Sequence, residues 1–104
     1  MNRYYILVGQ SIVPEPDLLT WARWFETAKR HVALTELPGG VKVSTVFLGL
    51  DHSFGADEEP LLFETMVFGG PHDQDQYRYP TWAAAEAGHA AVVKRLRNAN
   101  GDQS

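Results

Sequence analysis

The sequence predicts an α+β fold: a four-stranded, mostly antiparallel sheet with two helices packed on one face. Segments rich in β-branched and aromatic residues lie between glycine and proline turns, as strands do. Two longer segments repeat apolar residues with helical spacing. The 104 residues fit one domain, in which residues 3–97 are expected to form the core and residues 98–104 a tail. The predicted order of elements is β-α-β-β-β-α.

The first predicted strand, residues 4–8, is followed by the first helix. Asp17 is expected to cap this helix, because a carboxylate before an apolar-periodic segment can accept hydrogen bonds from free amides of the first turn. The helix is expected from Leu18 to about Arg30, with its apolar residues on one side. Trp24 lies at the edge of that apolar side, so it is expected to be partly exposed.

Three β-rich segments occupy the middle of the chain. Residues 32–37 and 41–50 flank Pro38-Gly39-Gly40, a combination typical of a hairpin. Residues 61–68 form the next predicted strand, and residues 77–79 are expected to be short and extended.

The second helix is expected over residues 82–97, with Thr81 as its cap. At about 100° per residue, Glu86 and His89 fall in the same stripe as Trp82, which predicts that both face the core. Burying ionisable groups costs free energy unless they find partners. Two interpretations follow: a polar pocket in which His89 carries a proton or contacts a ligand, or a pair that hydrogen-bonds tyrosine, threonine or backbone groups and organises packing.

Asp51 and His52 follow the end of an apolar strand, where side chains are held by rigid structure but face solvent. Such a pair could act as a base or bind a ligand, although neighbours on extended backbone point to opposite faces. The alternative is a turn in which Asp51 accepts hydrogen bonds from nearby amides.

Glu64 lies in the middle of a predicted strand. On the core face it would need a partner, for which Arg78 and His89 are the candidates. On the solvent face, its apolar neighbours would form a partner surface or a dimer interface. Those neighbours are Leu62, Met66 and Phe68.

Large aromatic side chains are numerous for a chain of this length. Trp21 and Trp82 begin apolar helical stripes and are predicted to be core residues. Trp24, Tyr77 and Tyr79 are therefore the surface candidates, because rings with a polar group favour interfaces and can stack on nucleobases.

The composition restricts the classes of function and location. The net charge is −4, and the nine basic residues are scattered apart from Lys94, Arg95 and Arg97, so phosphate-based nucleic-acid binding is not predicted. No cysteine is present for disulfides or thiolate metal sites. No segment approaches the roughly 20 apolar residues of a membrane span, and no signal peptide is visible, so a soluble intracellular protein is expected.

Motifs for catalysis are missing from the sequence. No glycine-rich phosphate loop, nucleophile elbow or Ser-His-Asp pattern is present, and the histidines lack the paired spacing of metal sites. We therefore predict no catalytic residue, no metal ligand and no cofactor.

Two linked motifs carry a resemblance: STVFLGLDHSFG at residues 44–55 and LFETMVFGG at residues 62–70. The sequence here resembles a family of small proteins encoded by tailed bacteriophages and prophages. The similarity extends to residues 19–26 and to RYPTWAAAEAGH at residues 78–89, so it covers most of the chain. The sequence departs from the family in an acidic loop, residues 55–60, which is longer than the family pattern.

The resemblance implies a non-enzymatic accessory protein in the cytoplasm of a bacterial host. Such a protein would bind a host protein or a small molecule, for example in counter-defence, and could form a homodimer. One alternative is a small metal-dependent hydrolase with a pocket formed by Asp51, His52, Glu64 and His89. Another is a minor virion or assembly component. The resemblance supplies no catalytic residues.

Overall fold

The structure, a computed structural model, describes residues 3–51 and 59–99. Its strands are β1 (Tyr5–Val8), β2 (Ser11–Pro14), β3 (His31–Leu37), β4 (Val41–Phe47), β5 (Phe63–Phe68) and β6 (Gln76–Tyr79), and its helices are α1 (Leu18–Thr27) and α2 (Trp82–Ala99). In the described part of the chain, no helix combines the length and apolar character needed to cross a membrane.

Strands β3 to β6 form one antiparallel sheet in the order β3-β4-β5-β6, so each strand pairs with its neighbour in sequence. The predicted hairpin joins β3 to β4 through the turn Pro38–Gly40. Gly39 and Gly40 have φ angles of 80° and 77°, a left-handed backbone that glycine adopts without steric cost. The α+β class and the four-stranded antiparallel sheet are thus confirmed.

The fourth strand of this sheet is β6 rather than the N-terminal strand. β1 instead pairs with β2 in a separate two-stranded antiparallel sheet, in which Tyr5 lies opposite Pro14. The observed order is therefore β-β-α-β-β-β-β-α. Strand propensity reports that a segment fits a pleated surface and does not select its partner strand, so the sequence pattern left this pairing open.

α2 covers one face of the four-stranded sheet and contacts all four strands. Side chains alternate accordingly: Val43 and Phe47 of β4 are fully buried, whereas Ser44 and Val46 between them are partly exposed. Two apolar clusters fill the space under α2. One consists of Leu37, Val41, Val43, Val67, Val92, Val93 and Leu96, and the other of Phe47, Leu62, Phe63 and Ala85.

α1 extends the same layer at the Phe47 end of the sheet. The ring of Trp24 packs edge-on against Phe47, with 5.9 Å between the ring centroids. Trp21 Nε1 donates a hydrogen bond to the Tyr5 carbonyl at 3.0 Å and so connects α1 to β1. Both helices therefore contact the same face of the sheet, as the sequence predicts, and α1 ends at Thr27, before the expected Arg30.

Both predicted helix caps are present. The Asp17 carboxylate accepts a hydrogen bond from the Thr20 backbone N–H at 3.3 Å and another from the Thr20 hydroxyl. These bonds to Thr20, with the hydroxyl as the largest contribution, lower the pKa of Asp17. Thr81 Oγ1 accepts from the Ala84 backbone N–H at 3.1 Å, and the helix it starts runs two residues past its expected end.

Candidate functional site

His89 lies in the core between α2 and the sheet and is only 6% exposed. Its Nε2 is 2.8 Å from Thr35 Oγ1, and its Nδ1 is 2.7 Å from Thr45 Oγ1. The Thr45 hydroxyl also hydrogen-bonds the Thr65 hydroxyl on β5. Both ring nitrogens therefore have threonine partners, an arrangement that the second of the two interpretations includes.

The register of the sheet brings the three threonines together. Thr45 and Thr65 are direct cross-strand partners in β4 and β5. Thr35 in β3 pairs with Val43, so it faces the same side of the sheet. These threonines were not among the residues singled out from the sequence. The signal that could have found them is a polar residue at an inward position of an otherwise apolar strand, but only the register shows which of them meet.

Burial lowers the pKa of His89, because an imidazolium in the core would lose its hydration. The groups that contact the ring are the neutral hydroxyls of Thr35 and Thr45. Two cations of α2, Lys94 and Arg97, line a cleft beside His89. The ring is therefore neutral in the folded protein, with one nitrogen as donor and the other as acceptor.

This neutral ring gives the first testable expectation, a pH dependence of stability. Between about pH 7.5 and 5.5, the free energy of unfolding should fall as the pH falls. The unfolded chain takes up a proton at the ordinary His89 pKa of 6.5, whereas the folded chain does so only at lower pH. Urea denaturation at a series of pH values measures this, with His89→Gln as the control. Equal slopes for the two proteins would contradict a neutral buried ring.

No described helix or strand covers the side of the sheet away from α2, and we call this side the open face. Its apolar side chains include Leu34, which is 54% exposed, and Phe68, which is 44% exposed. Val46 and Met66, in the two central strands, are partly exposed between them. By the pairing register, the described residues of this face are His31, Leu34, Glu36, Lys42, Ser44, Val46, Glu64, Met66, Phe68, Gln76 and Arg78.

Charges on the open face occur in opposed pairs. Glu64 lies directly opposite Arg78, with 3.1 Å between Oε2 and Nε, so Arg78 is the partner of Glu64 among the two considered. Glu36 lies opposite Lys42 in the pairing register of β3 and β4. The two acidic and two basic side chains of these pairs therefore sum to zero, on a chain whose net charge is −4.

The structure does not bring Glu64, Glu86 and His89 into one pocket. Glu64 is on the open face, whereas the adjacent Thr65 and His89 lie on the face that α2 covers. Glu86 is exposed, so its predicted burial is wrong. A hydrolase pocket would need Glu64 close to His89, and the two side chains lie on opposite faces of the sheet.

The error at Glu86 follows from the rotation of α2 about its axis. The buried face consists of Ala85, His89, Val92, Val93 and Leu96. At 100° per residue, the centre of this buried face lies roughly 75° around the helix from Glu86. The helix presents the side with its small residues, Ala85 and Gly88, to the sheet. A Cβ atom on Gly88 would lie 2.2 Å from Tyr79 Cζ, so this side of α2 touches β6 directly.

The three aromatic surface candidates pack against the core and are partly buried. Trp24 contacts Phe47 as described above, and Tyr79 contacts α2 at Gly88. The guanidinium of Arg95 lies 5.1 Å from the Tyr77 ring centroid. These rings do not form a common free surface for stacking.

Of the pair Asp51 and His52, the structure describes Asp51. Asp51 is partly buried, and its backbone N–H donates to the Arg3 carbonyl at 2.9 Å. His52 lies outside the described residues. Within residues 3–51 and 59–99, no group of three His, Cys, Asp or Glu side chains is placed to hold a metal ion.

Two surfaces thus remain as candidate binding sites: the open face of the sheet and the cleft beside His89. Comparisons of this chain with protein-family models, curated proteins and solved structures gave no match. Its function is therefore inferred from the chemistry of these two surfaces and from the motif resemblance.

Proposed function

We propose that this chain is a non-enzymatic accessory protein, encoded by a phage or prophage, that binds a host protein in the bacterial cytoplasm. The open face is the binding surface, and its exposed apolar side chains are the observation that carries the proposal. Counter-defence, in which the bound target is a component of host immunity, is one role that such binding would fill. The motif resemblance supports the phage origin.

The open face has an energetic reason to be covered. Leu34 and Phe68 each expose about half of their surface. Completing the burial of such half-exposed side chains contributes about 1 kcal/mol each, roughly half of the value for burying a whole Leu or Phe side chain. Both residues sit on paired strands, so no backbone has to be ordered on binding.

The charges of the open face indicate the chemistry of the partner. Because Glu36 opposes Lys42 and Glu64 opposes Arg78, the face presents no excess of either sign. A polyanion such as nucleic acid would gain little from it. A protein surface with an apolar centre and a polar rim fits it best.

The size of the face favours a different protein over a second copy of this chain. Strands about 4.8 Å apart and up to seven residues of about 3.3 Å give a face of roughly 15 by 20 Å. Two such faces stacked on each other would bury less than the roughly 800 Å² per partner of a stable interface. An unrelated partner can also cover the free edge of β3 and so reach that area.

The test compares two variants that place a charge at an exposed apolar position. Phe68→Glu changes the open face, and Leu19→Glu changes α1, where Leu19 is 66% exposed. We expect tagged wild type and Leu19→Glu to retain the same host protein from a bacterial lysate, and Phe68→Glu to retain at least about tenfold less. Leu34→Glu replaces Phe68→Glu if circular dichroism shows that the latter does not fold.

Three outcomes would overturn the proposal. The first is that wild type retains no host protein, and the second is that both variants retain it equally. The third is a stable dimer in light scattering that Phe68→Glu disperses, because the open face would then bind a second copy.

A further inference from the structure

A cleft of about 770 Å³ lies between the C-terminal half of α2 and β3, on the opposite side of the sheet from the open face. Its volume falls within the range of about 300–1,000 Å³ that small-molecule sites occupy. Val93 and Ala90 of α2, together with Pro38, give it an apolar wall. Thr35 and His89 lie in its lining and connect it to the buried threonine network.

The cleft is positively charged although the chain is not. Its described lining contains Lys94 and Arg97 and no aspartate or glutamate. The two cations are three residues apart on α2, so they project from the same side of the helix. The carbonyls at the C-terminus of a helix contribute about half a negative charge, which the two full positive charges outweigh.

The hydrogen-bond network can orient the Thr35 hydroxyl as a hydrogen-bond donor to the cleft. If His89 Nε2 carries the proton and donates to Thr35, the Thr35 hydroxyl can donate to an anion in the cleft. Nδ1 then accepts from Thr45, and Thr45 accepts from Thr65. Every member of the network is satisfied in this arrangement, and no charge enters the core.

We infer that this cleft binds a small phosphate monoester with an apolar or aromatic body. Lys94 and Arg97 hold the phosphate, Thr35 donates to it, and the body lies on Val93 and Ala90. Two cations match the charge of about −2 that a monoester carries at neutral pH. This inference is independent of the proposed partner at the open face, because the two surfaces share no residue.

Titration calorimetry with adenosine monophosphate and with phenyl phosphate tests the inference, with inorganic phosphate as the comparison. We expect the double variant Lys94→Gln/Arg97→Gln to bind each monoester about tenfold less tightly or worse. The matched control is Arg95→Gln, because Arg95 is on the same helix but lies over Tyr77. It should change the affinity by less than about twofold.

The hydroxyl of Thr35 and the tautomer of His89 are tested separately. Thr35→Val should weaken binding, whereas Thr35→Ser, which keeps the hydroxyl, should retain it. In the bound state, nitrogen NMR of the His89 ring should place the proton on Nε2.

Four results would overturn the inference. They are the absence of binding at 10 mM monoester, equal losses in Arg95→Gln and in the double variant, inorganic phosphate binding as tightly as the monoesters, and a bound state with the His89 proton on Nδ1.

Discussion

Replacing His89 with alanine should destabilise the protein by about 3 kcal/mol. The variant loses a buried ring and leaves a cavity, which in protein cores is a large cost. It also removes two hydrogen bonds, one to Thr35 and one to Thr45, which keeps only Thr65 as a partner, and each lost bond costs about 1 kcal/mol. The free energy of unfolding from urea denaturation at pH 7.5 measures the loss.

Glu86→Ala is the matched control, because the sequence pattern treats Glu86 and His89 alike. Glu86 is exposed on α2, so its removal should change stability by less than about 0.5 kcal/mol. His89→Gln should fall between wild type and His89→Ala, since an amide can restore one of the two hydrogen bonds. A loss in Glu86→Ala as large as in His89→Ala would mean that α2 is rotated differently on the sheet.

Gly88→Ala should destabilise the protein by about 2 kcal/mol, although alanine favours helices over glycine by about 1 kcal/mol. The new Cβ would lie 2.2 Å from Tyr79 Cζ and 2.3 Å from the Tyr79 hydroxyl oxygen, so the ring or the helix must shift. Thermal and urea unfolding measure the change.

Two further variants separate the steric effect at Gly88 from helix propensity. Ala87→Gly, at the exposed neighbouring position, should cost about 1 kcal/mol from propensity alone. In a Tyr79→Leu background, Gly88→Ala should become neutral or stabilising, because the smaller side chain leaves room for the methyl group. If Gly88→Ala stabilises the protein with Tyr79 intact, α2 does not touch β6 at this point.

The sequence predicted those parts of the fold that depend on local chemistry. The caps at Asp17 and Thr81 are present because a side-chain oxygen before an apolar helix satisfies free amides whatever surrounds it. The alternation in β4 and β5 also matches, since the period of two is a property of the strand itself. The hairpin at Pro38–Gly40 follows from the backbone freedom of its two glycines.

Features that depend on long-range packing were not predicted. The partner of β1 is β2, and the fourth strand of the main sheet is β6, because pairing is decided by contacts that no short segment contains. The burial of His89 was predicted but that of Glu86 was wrong. Ala85 and Gly88 allow α2 to approach the sheet closely, and such small residues carry little weight in an apolar pattern.

The candidate site was predicted only in part, because strand register is also decided by long-range contacts. Glu64 was recognised as ionisable in an apolar strand, and Arg78 was one of its two possible partners. The register of β5 and β6 decided between Arg78 and His89. The same register placed Glu64 on the open face and Thr65 under His89, so a single shift by one residue would exchange these two environments.

The layered arrangement gives the two faces of the sheet different properties. Under α2, His89 and its threonines form a satisfied polar network within an apolar core. On the open face, paired charges surround exposed apolar side chains. The side under α2 thus holds the core and borders the cleft beside His89, and the open face is the surface of the proposed protein partner.

The most direct test of this account is thiol labelling at the open face with and without the host protein. Because the chain has no cysteine, Ser44→Cys places one thiol at the centre of that face and Ser11→Cys places a matched thiol on β2. We expect both thiols to react in the free protein, and only that of Ser44→Cys to be protected, about tenfold or more, in the complex. Equal protection of both thiols, or an unchanged rate for Ser44→Cys in the complex, would contradict binding through the open face.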